Sequence, residues 1–247
     1  YTYATLRNEI ITNDKPNATE NDLVFDNYAV ERFRLNDDPI MYPSIDWRRY
    51  LLNKTSVQTQ HNLNISGGTK DIRYFISLGF LYQNGLLKQF EGVGYDNNYK
   101  YKRYNYRANL DFDATKTTTL KIGIGGIVGN RNEPMINDAT NSIWTLINQT
   151  TPFSSPGVID GKLIVTPEER FDNKINLGNS ALPKCYGTGY STAINNTMNL
   201  DLLLNQKLDF ITKGLSAEIK GAYNTSYGFT KKRKGQVEQF MPFYQSS

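Results

Sequence analysis

The chain has 247 residues, a formal net charge of +4, 38% apolar and 13% aromatic residues, one Cys and one His. One Cys excludes an intrachain disulfide framework and a cysteine-cluster metal site, and one His excludes a multi-histidine metal centre. The small net charge gives no nucleic-acid footprint, and no apolar run reaches the length of about 18 residues that a transmembrane helix needs. Apolar content is low for a chain of this size. Either the core is thin, or the apolar residues lie on one face of long strands.

Residues 1–56 predict a connecting segment with short helices. A short helix is expected over residues 4–11, and Thr19 with Asp22 resembles a capping box that opens a second helical stretch toward Phe33. The sequence begins at Tyr1 rather than at Met and ends without a closing element. We therefore expect an internal piece of a longer protein.

The pattern changes to period two from Val57 onward. Between Arg103 and Ala114, every even position is apolar or aromatic and every odd position is polar. Successive side chains of a strand point to opposite faces, so this alternation predicts a one-sided β-strand. Five further segments show the same alternation: residues 57–66, 72–83, 119–130, 194–210 and 215–230. The sequence thus predicts four strands over 57–130 and two over 194–230.

The connections between these strands alternate in length. Short turns at residues 67–71, 115–118 and 211–214 alternate with long connections at 84–102 and 131–193. Short turns at one end and long loops at the other are typical of transmembrane β-barrels, whose long loops are extracellular. The loop over residues 131–193 is then expected to be extracellular, and residues 1–56 an extracellular or connecting segment. We expect an all-β fold, an antiparallel transmembrane β-barrel segment of about six strands. Because six strands cannot close, the barrel must be larger, and residues 231–247 would begin a further extracellular loop.

Several stretches resemble the SusC/RagA family of outer-membrane transporters. They are the segment from Gln60 to Thr69, Tyr74–Phe80 with Gln83-Asn84-Gly85, Tyr104–Asp111 with Leu120–Gly123, Tyr42–Trp47, Tyr3–Glu9 and Leu208–Ser216. They occur in the family's order and span most of the chain. As a set they are specific, although each alone is weak.

The resemblance implies a TonB-dependent transporter in the outer membrane of a Bacteroidetes-type cell envelope. Such proteins have a 22-stranded barrel with an N-terminal plug, and a SusD-like surface lipoprotein covers them. Together they import oligosaccharides or peptides, with energy from the TonB complex. The plug and the TonB box would lie in a missing N-terminal part, upstream of Tyr1.

The polar faces of the predicted strands carry charges, among them Arg103, Arg107, Asp111 and Asp113. A barrel lumen is polar by default, so these residues are expected to face the lumen or the plug. Arg107 and Asp111 share a face and could form a pair. Asp111 and Asp113 resemble a catalytic carboxylate pair, but no general base or oxyanion partner accompanies them.

The connection over residues 131–193 is the best candidate for ligand contact. It carries the aromatic residues Trp144, Phe153, Tyr186 and Tyr190. Aromatic rings suit contact with sugars or peptides. The same loop could equally be the docking surface for the lipoprotein.

The sequence predicts no special chemistry. We expect no enzymatic activity, no cofactor and no metal, and we expect contact with outer-membrane lipid but not with nucleic acid. The basic run Lys231–Lys234 has no aromatic platform beside it, so a solvated loop or contact with lipopolysaccharide is favoured over a nucleic-acid patch. Two alternatives stay open: a porin or adhesin barrel without TonB, and a secreted glycan-binding β-sandwich.

Overall fold

The structure of the chain, a computed structural model, describes residues 1–90, 93–135, 142–167, 180–236 and 238–243. Parts of the two predicted loops, 131–193 and 231–247, therefore lie outside the described residues. The elements in chain order are α1 (Thr2–Asp14), a 3₁₀ turn (Glu20–Asp22), α2 (Asn27–Leu35), α3 (Trp47–Leu51), β1 (Gln58–Gly68), β2 (Ile72–Asn84), β3 (Lys100–Asp113), β4 (Thr118–Pro134), α4 (Ile143–Gln149), β5 (Gly157–Ile159), β6 (Lys162–Ile164), α5 (Ala181–Gly187), β7 (Gly189–Lys207), β8 (Ser216–Lys234) and β9 (Gln239–Phe240).

Six long strands form one antiparallel sheet in the order β1-β2-β3-β4-β7-β8. The six strands predicted from alternation are confirmed, but their ends differ. Pairing of β4 with β7 continues to Pro134 and Tyr190, and pairing of β7 with β8 continues to Gly189 and Lys234. Backbone pairing needs no apolar alternation, so the strands run past the end of the pattern. The long connection is therefore residues 135–188, and Tyr190 lies in β7 rather than in a loop.

The short-turn end also departs from the prediction. The expected strand over residues 194–210 ends at Lys207. The Leu208 amide donates to the Leu215 carbonyl at 2.8 Å, and the Gly214 amide donates to Asp209 Oδ1 at 2.7 Å. These bonds close a turn over residues 208–215, with Gly214 at a φ of 85°. Phe210 lies in this turn and not in a strand, with 81% of its surface exposed.

The register separates the sheet into two faces. We call one the apolar face: even-numbered positions of β2, β3, β4 and β7, and odd-numbered positions of β1 and β8. Its lowest full row is Ile72, Phe112, Leu120, Leu204 and Ile219. Ten residues along each strand is the last full row that still holds apolar or aromatic side chains: Tyr82, Lys102, Asn130, Ile194 and Phe229. The next row, Asn84, Lys100, Asn132, Thr192 and Lys231, holds none. We call the opposite side the polar face.

The apolar face is not covered by other parts of the described chain. Ile219 is 71% exposed, Leu63 54% and Leu202 43%. The aliphatic side chains of this sheet thus lie outside the packed core. Among the described residues, no helix is both long and apolar enough to cross a membrane.

The packed core lies instead in the helices and long connections, which we call the loop-end subdomain (described residues of 1–56, 85–99 and 135–188). One cluster groups Trp47, Leu51, Leu87, Leu146 and Tyr186 with neighbouring residues. A second groups residues of the first two helices with Phe153. The N-terminal segment therefore folds together with the long connections.

Local signals in the N-terminal segment form helices where the sequence predicts them, with two differences. The helix α1 is longer than the expected 4–11. The Thr19 amide donates to Asp22 Oδ2 at 2.8 Å, but this box opens only a 3₁₀ turn. The Phe25 amide then bonds Asn8 Oδ1 at 3.1 Å, and the Phe25 ring is fully buried. That contact pulls the chain out of helical geometry, so α2 begins separately, capped by Asp26.

Candidate functional site

The polar face carries ion pairs near its short-turn end. Arg73, Asp111 and Lys121 face each other across β2, β3 and β4. Lys121 Nζ lies 3.9 Å from Asp111 Oδ2, and Arg73 Nη1 lies 3.2 Å from Asp113 Oδ2. Both predicted carboxylates are therefore engaged by cations of neighbouring strands. The expected pairing of Asp111 with Arg107 is replaced by the pairing with Lys121, which lies directly opposite.

Asp113 has a second partner on β4. The Thr119 hydroxyl also donates to Asp113, at 2.8 Å. The only histidine, His61, lies on the apolar face, where its ring stacks on Phe80 at 6.3 Å between centroids and 13° between planes. No imidazole is thus available on the polar face to act as a general base.

Arg103 and Arg107 lie higher on the polar face of β3. Arg103 faces Leu81 and Gly129, and its Nε is a buried donor without a hydrogen-bond partner among the described residues. A buried unsatisfied donor calls for a missing partner such as water or another chain segment. Arg107 is exposed and faces Gly125, which leaves room for its side chain. Arg103 thus points to a contact that the described residues do not supply.

Two shallow grooves cross the polar face. The lower one has a volume of about 450 Å³ and is lined by both signs of charge: Arg73, Arg107, Asp111, Lys121, Asp201 and Lys220. The upper one, about 500 Å³, is lined mainly by amide, hydroxyl and phenol groups with one cation: Gln83, Tyr99, Tyr101, Arg131, Asn195 and Thr197. Both grooves can offer hydrogen bonds to a polar solute.

The four aromatic residues predicted for ligand contact lie in different environments. Phe153 is buried between Tyr3 and Phe25, with ring centroids 5.3 and 5.1 Å away. Tyr186 is buried in the other cluster of the loop-end subdomain. Neither ring has an accessible face for a ligand in this structure, because the N-terminal segment covers Phe153 and the cluster that includes Phe90 covers Tyr186.

Trp144 and Tyr190 remain accessible, but they are not brought together. Tyr190 is half-buried in β7, and its ring packs against Tyr95 at 5.5 Å. Trp144 is 49% exposed and lines an apolar cleft of about 440 Å³ between α4 and the strand ends. Its other walls include Leu52, Leu87, Tyr99 and Pro134. No local sequence pattern indicates this cleft, because its walls come from segments far apart in the chain.

Cys185 has no catalytic setting. The thiol is buried, and burial raises its pKa to about 12, so it is protonated at neutral pH. The described residues contain no group of three or more acidic, His or Cys side chains placed to hold a metal ion.

The chain is similar in sequence to a curated TonB-dependent receptor. TonB-dependent receptor SusC of Bacteroides thetaiotaomicron is 28% identical over 125 residues, which is 45% of this chain and 12% of SusC. Over that stretch the chain is similar to SusC. It spans only a small part of the curated relative that it matches. No protein-family model matches it.

Two solved structures match most of the length of this chain. The RagAB peptide importer in the "closed-closed" state is 14% identical with a TM-score of 0.49, covering 77% of this chain and 20% of that chain. The RagAB peptide transporter is 15% identical with a TM-score of 0.47, covering 82% and 22%.

Proposed function

We propose that this chain is a segment of the barrel wall of a TonB-dependent outer-membrane importer of nutrients. The observation that carries the proposal is the register of six antiparallel strands, which places an apolar face on one side and ion pairs on the other. Short turns at one end and long connections at the other fit a membrane barrel. The identity with SusC supports the same class.

The height of the apolar face supports a membrane location. Its lowest full row and the last full row that still holds apolar or aromatic side chains are ten residues apart on each strand. At about 3.3 Å per residue and a tilt of about 40°, that distance corresponds to about 25 Å, the height of the apolar band of outer-membrane barrels.

The two sheet edges argue for further strands. In the described residues, β1 pairs only with β2, and β8 pairs only with β7. Open edges in lipid leave backbone groups unsatisfied. The proposal therefore includes a closed barrel of about 22 strands around a plug, as in the family that the chain resembles. The orphaned Nε of Arg103 would meet that plug or lumen water.

The proposal assigns cargo and partners to the two ends. A SusD-like lipoprotein would cover the loop-end subdomain, and the plug would engage the TonB complex. Oligosaccharides or peptides would pass the grooves of the polar face, with Trp144 as a contact at the loop end. Tyr190 lies at an apolar-face position of β7, opposite Arg233, and is left out of this path. Phe153 and Tyr186 would act by shaping the loop-end subdomain. No enzymatic step is part of the proposal.

Adjacent positions of β7 test the membrane part. Leu200 is on the apolar face near its middle, and Asn199 is on the polar face. In the intact protein, Leu200→Arg should lower the amount in the outer-membrane fraction sharply, because Arg facing lipid there costs about 2–4 kcal/mol. Asn199→Arg adds the same residue and should leave the amount near wild type. Equal amounts for both variants would contradict the proposal.

Uptake measurements test the transport part. Cells lacking the intact protein should lose uptake of one labelled class, peptides or oligosaccharides, and regain it on complementation. Loss of TonB should abolish the restored uptake. Uptake that persists without TonB would favour a porin, and unchanged uptake in the deletion strain would overturn import.

A further inference from the structure

Acidic and basic residues are distributed differently on the two faces of the sheet. All five acidic residues of the six long strands lie on the polar face: Asp111, Asp113, Glu133, Asp201 and Glu218. The apolar-face positions of these described strands hold no acidic residue. They hold four cations, Lys100, Lys102, Lys231 and Arg233, all at the loop end. The corresponding positions at the short-turn end are uncharged.

Three of these cations are free to meet a ligand outside the chain. Lys100 forms an ion pair with Asp96. In the described part of the chain, Lys102, Lys231 and Arg233 form no salt bridge, and all three are exposed. Lys102 Nζ lies 6.0 Å from the centre of the Tyr82 ring, as expected for a cation extending above an aromatic belt.

Their height matches a headgroup layer. Lys102 lies in the row that ends the apolar face, and Lys231 and Arg233 are two and four residues beyond the same row on β8. At the same rise and tilt, these offsets are about 5 and 10 Å above the apolar band. The polar layer of a bilayer is about 5–7 Å thick on each side. Lys102 and Lys231 thus lie beside the headgroups, Arg233 lies about 3–5 Å above that layer with a side chain long enough to reach back to it, and Tyr82 and Phe229 border the acyl region.

We propose that Lys102, Lys231 and Arg233 form a binding surface for the phosphate groups of anionic lipid in the outer leaflet. This inference rests on the proposed membrane location. Charge complementarity selects the lipid, since an anionic headgroup is attracted to a purely basic rim. Because these cations lie only at the loop end, the surface prefers anionic lipid of the leaflet at that end.

Lipid retention by the intact protein tests this surface. The protein is extracted in neutral detergent, exchanged into nanodiscs of phosphatidylcholine with added lipid A, and the bound lipid A is counted by native mass spectrometry. The variant Lys102→Gln/Lys231→Gln/Arg233→Gln should bind lipid A about 100-fold more weakly, since each surface cation contributes about five-fold. Raising the salt concentration should weaken wild-type binding.

The polar face of β8 supplies a matched control. Lys220→Gln/Lys232→Gln/Lys234→Gln removes the same charge from even-numbered positions of β8, which lie on the opposite face. It should retain lipid A as the wild type does. Wild-type retention by the apolar-face variant, or an equal loss in both variants, would overturn the proposal.

Two further outcomes separate this surface from the proposed function. If the wild type is absent from the outer-membrane fraction, both proposals fail. If it inserts but binds lipid A and dephosphorylated lipid A equally, only the lipid surface fails. That comparison uses wild type alone, so it decides the matter even where the triple variant does not insert.

Discussion

The indole nitrogen of Trp47 donates a hydrogen bond of 2.7 Å to the backbone carbonyl of Thr151, more than a hundred residues further along the chain. The Ile45 amide bonds the neighbouring Pro152 carbonyl at 2.8 Å, and Arg48 bonds Asn148 at 3.1 Å. The α3 region thus fixes the path of the long connection. The loop-end subdomain depends on this joint, because one of its two clusters is built around Trp47.

Loss of the indole donor should loosen that joint. Trp47→Phe keeps an aromatic ring but leaves the Thr151 carbonyl without its indole donor, which should cost about 1–3 kcal/mol. The measurement is the rate at which an added protease cleaves residues 135–188 on intact cells, and we expect faster cleavage. Trp144→Phe changes an exposed indole and should leave the rate unchanged. Equal rates for wild type and Trp47→Phe would contradict this role.

The Tyr106 ring requires a glycine opposite. A Cβ on Gly126 would lie 2.6 Å from Tyr106 Cζ and would also collide with the Thr197 carbonyl oxygen. Gly126→Ala should therefore reduce the folded fraction of the intact protein, measured as the heat-modifiable band on a gel. Gly221→Ala lies on the same face with open space around it and should fold normally. A normal folded fraction for Gly126→Ala would show that this contact is unimportant.

The strands were predictable from the sequence because alternate residues of each strand lie on the apolar face and on the polar face. Arg103 to Ala114 shows the alternation in full, and the structure pairs it in that register. Strand ends were not predictable, since Thr192 and Lys231 extend the ladder through backbone bonds alone. The burial of Phe153 and Tyr186 was also not predictable from the sequence. The ring partners of Phe153 lie in residues 1–56, and a local sequence pattern cannot predict a contact between residues so far apart in the chain.

Cys185 should be unreactive in the folded protein. Burial raises the pKa of its thiol to about 12, against 9.0 for an ordinary thiol. The folded state therefore holds its proton between pH 9 and about 12 while the unfolded state releases it, so stability from this group is full below pH 9 and falls as pH rises. A maleimide at pH 7.5 should label it only after denaturation. Rapid labelling of the native protein would contradict its burial.

Because the buried Cys185 thiol should not react with a maleimide in the folded protein, introduced cysteines can be labelled without background. This permits the most direct test of the apolar face. Single cysteines are introduced in the intact protein at Thr197, Met198, Asn199 and Leu200 of β7, and outer membranes are treated with a charged, water-soluble maleimide. The account predicts labelling at Thr197 and Asn199 and protection at Met198 and Leu200. Uniform labelling of the four positions, or the reverse alternation, would contradict a lipid-facing apolar side.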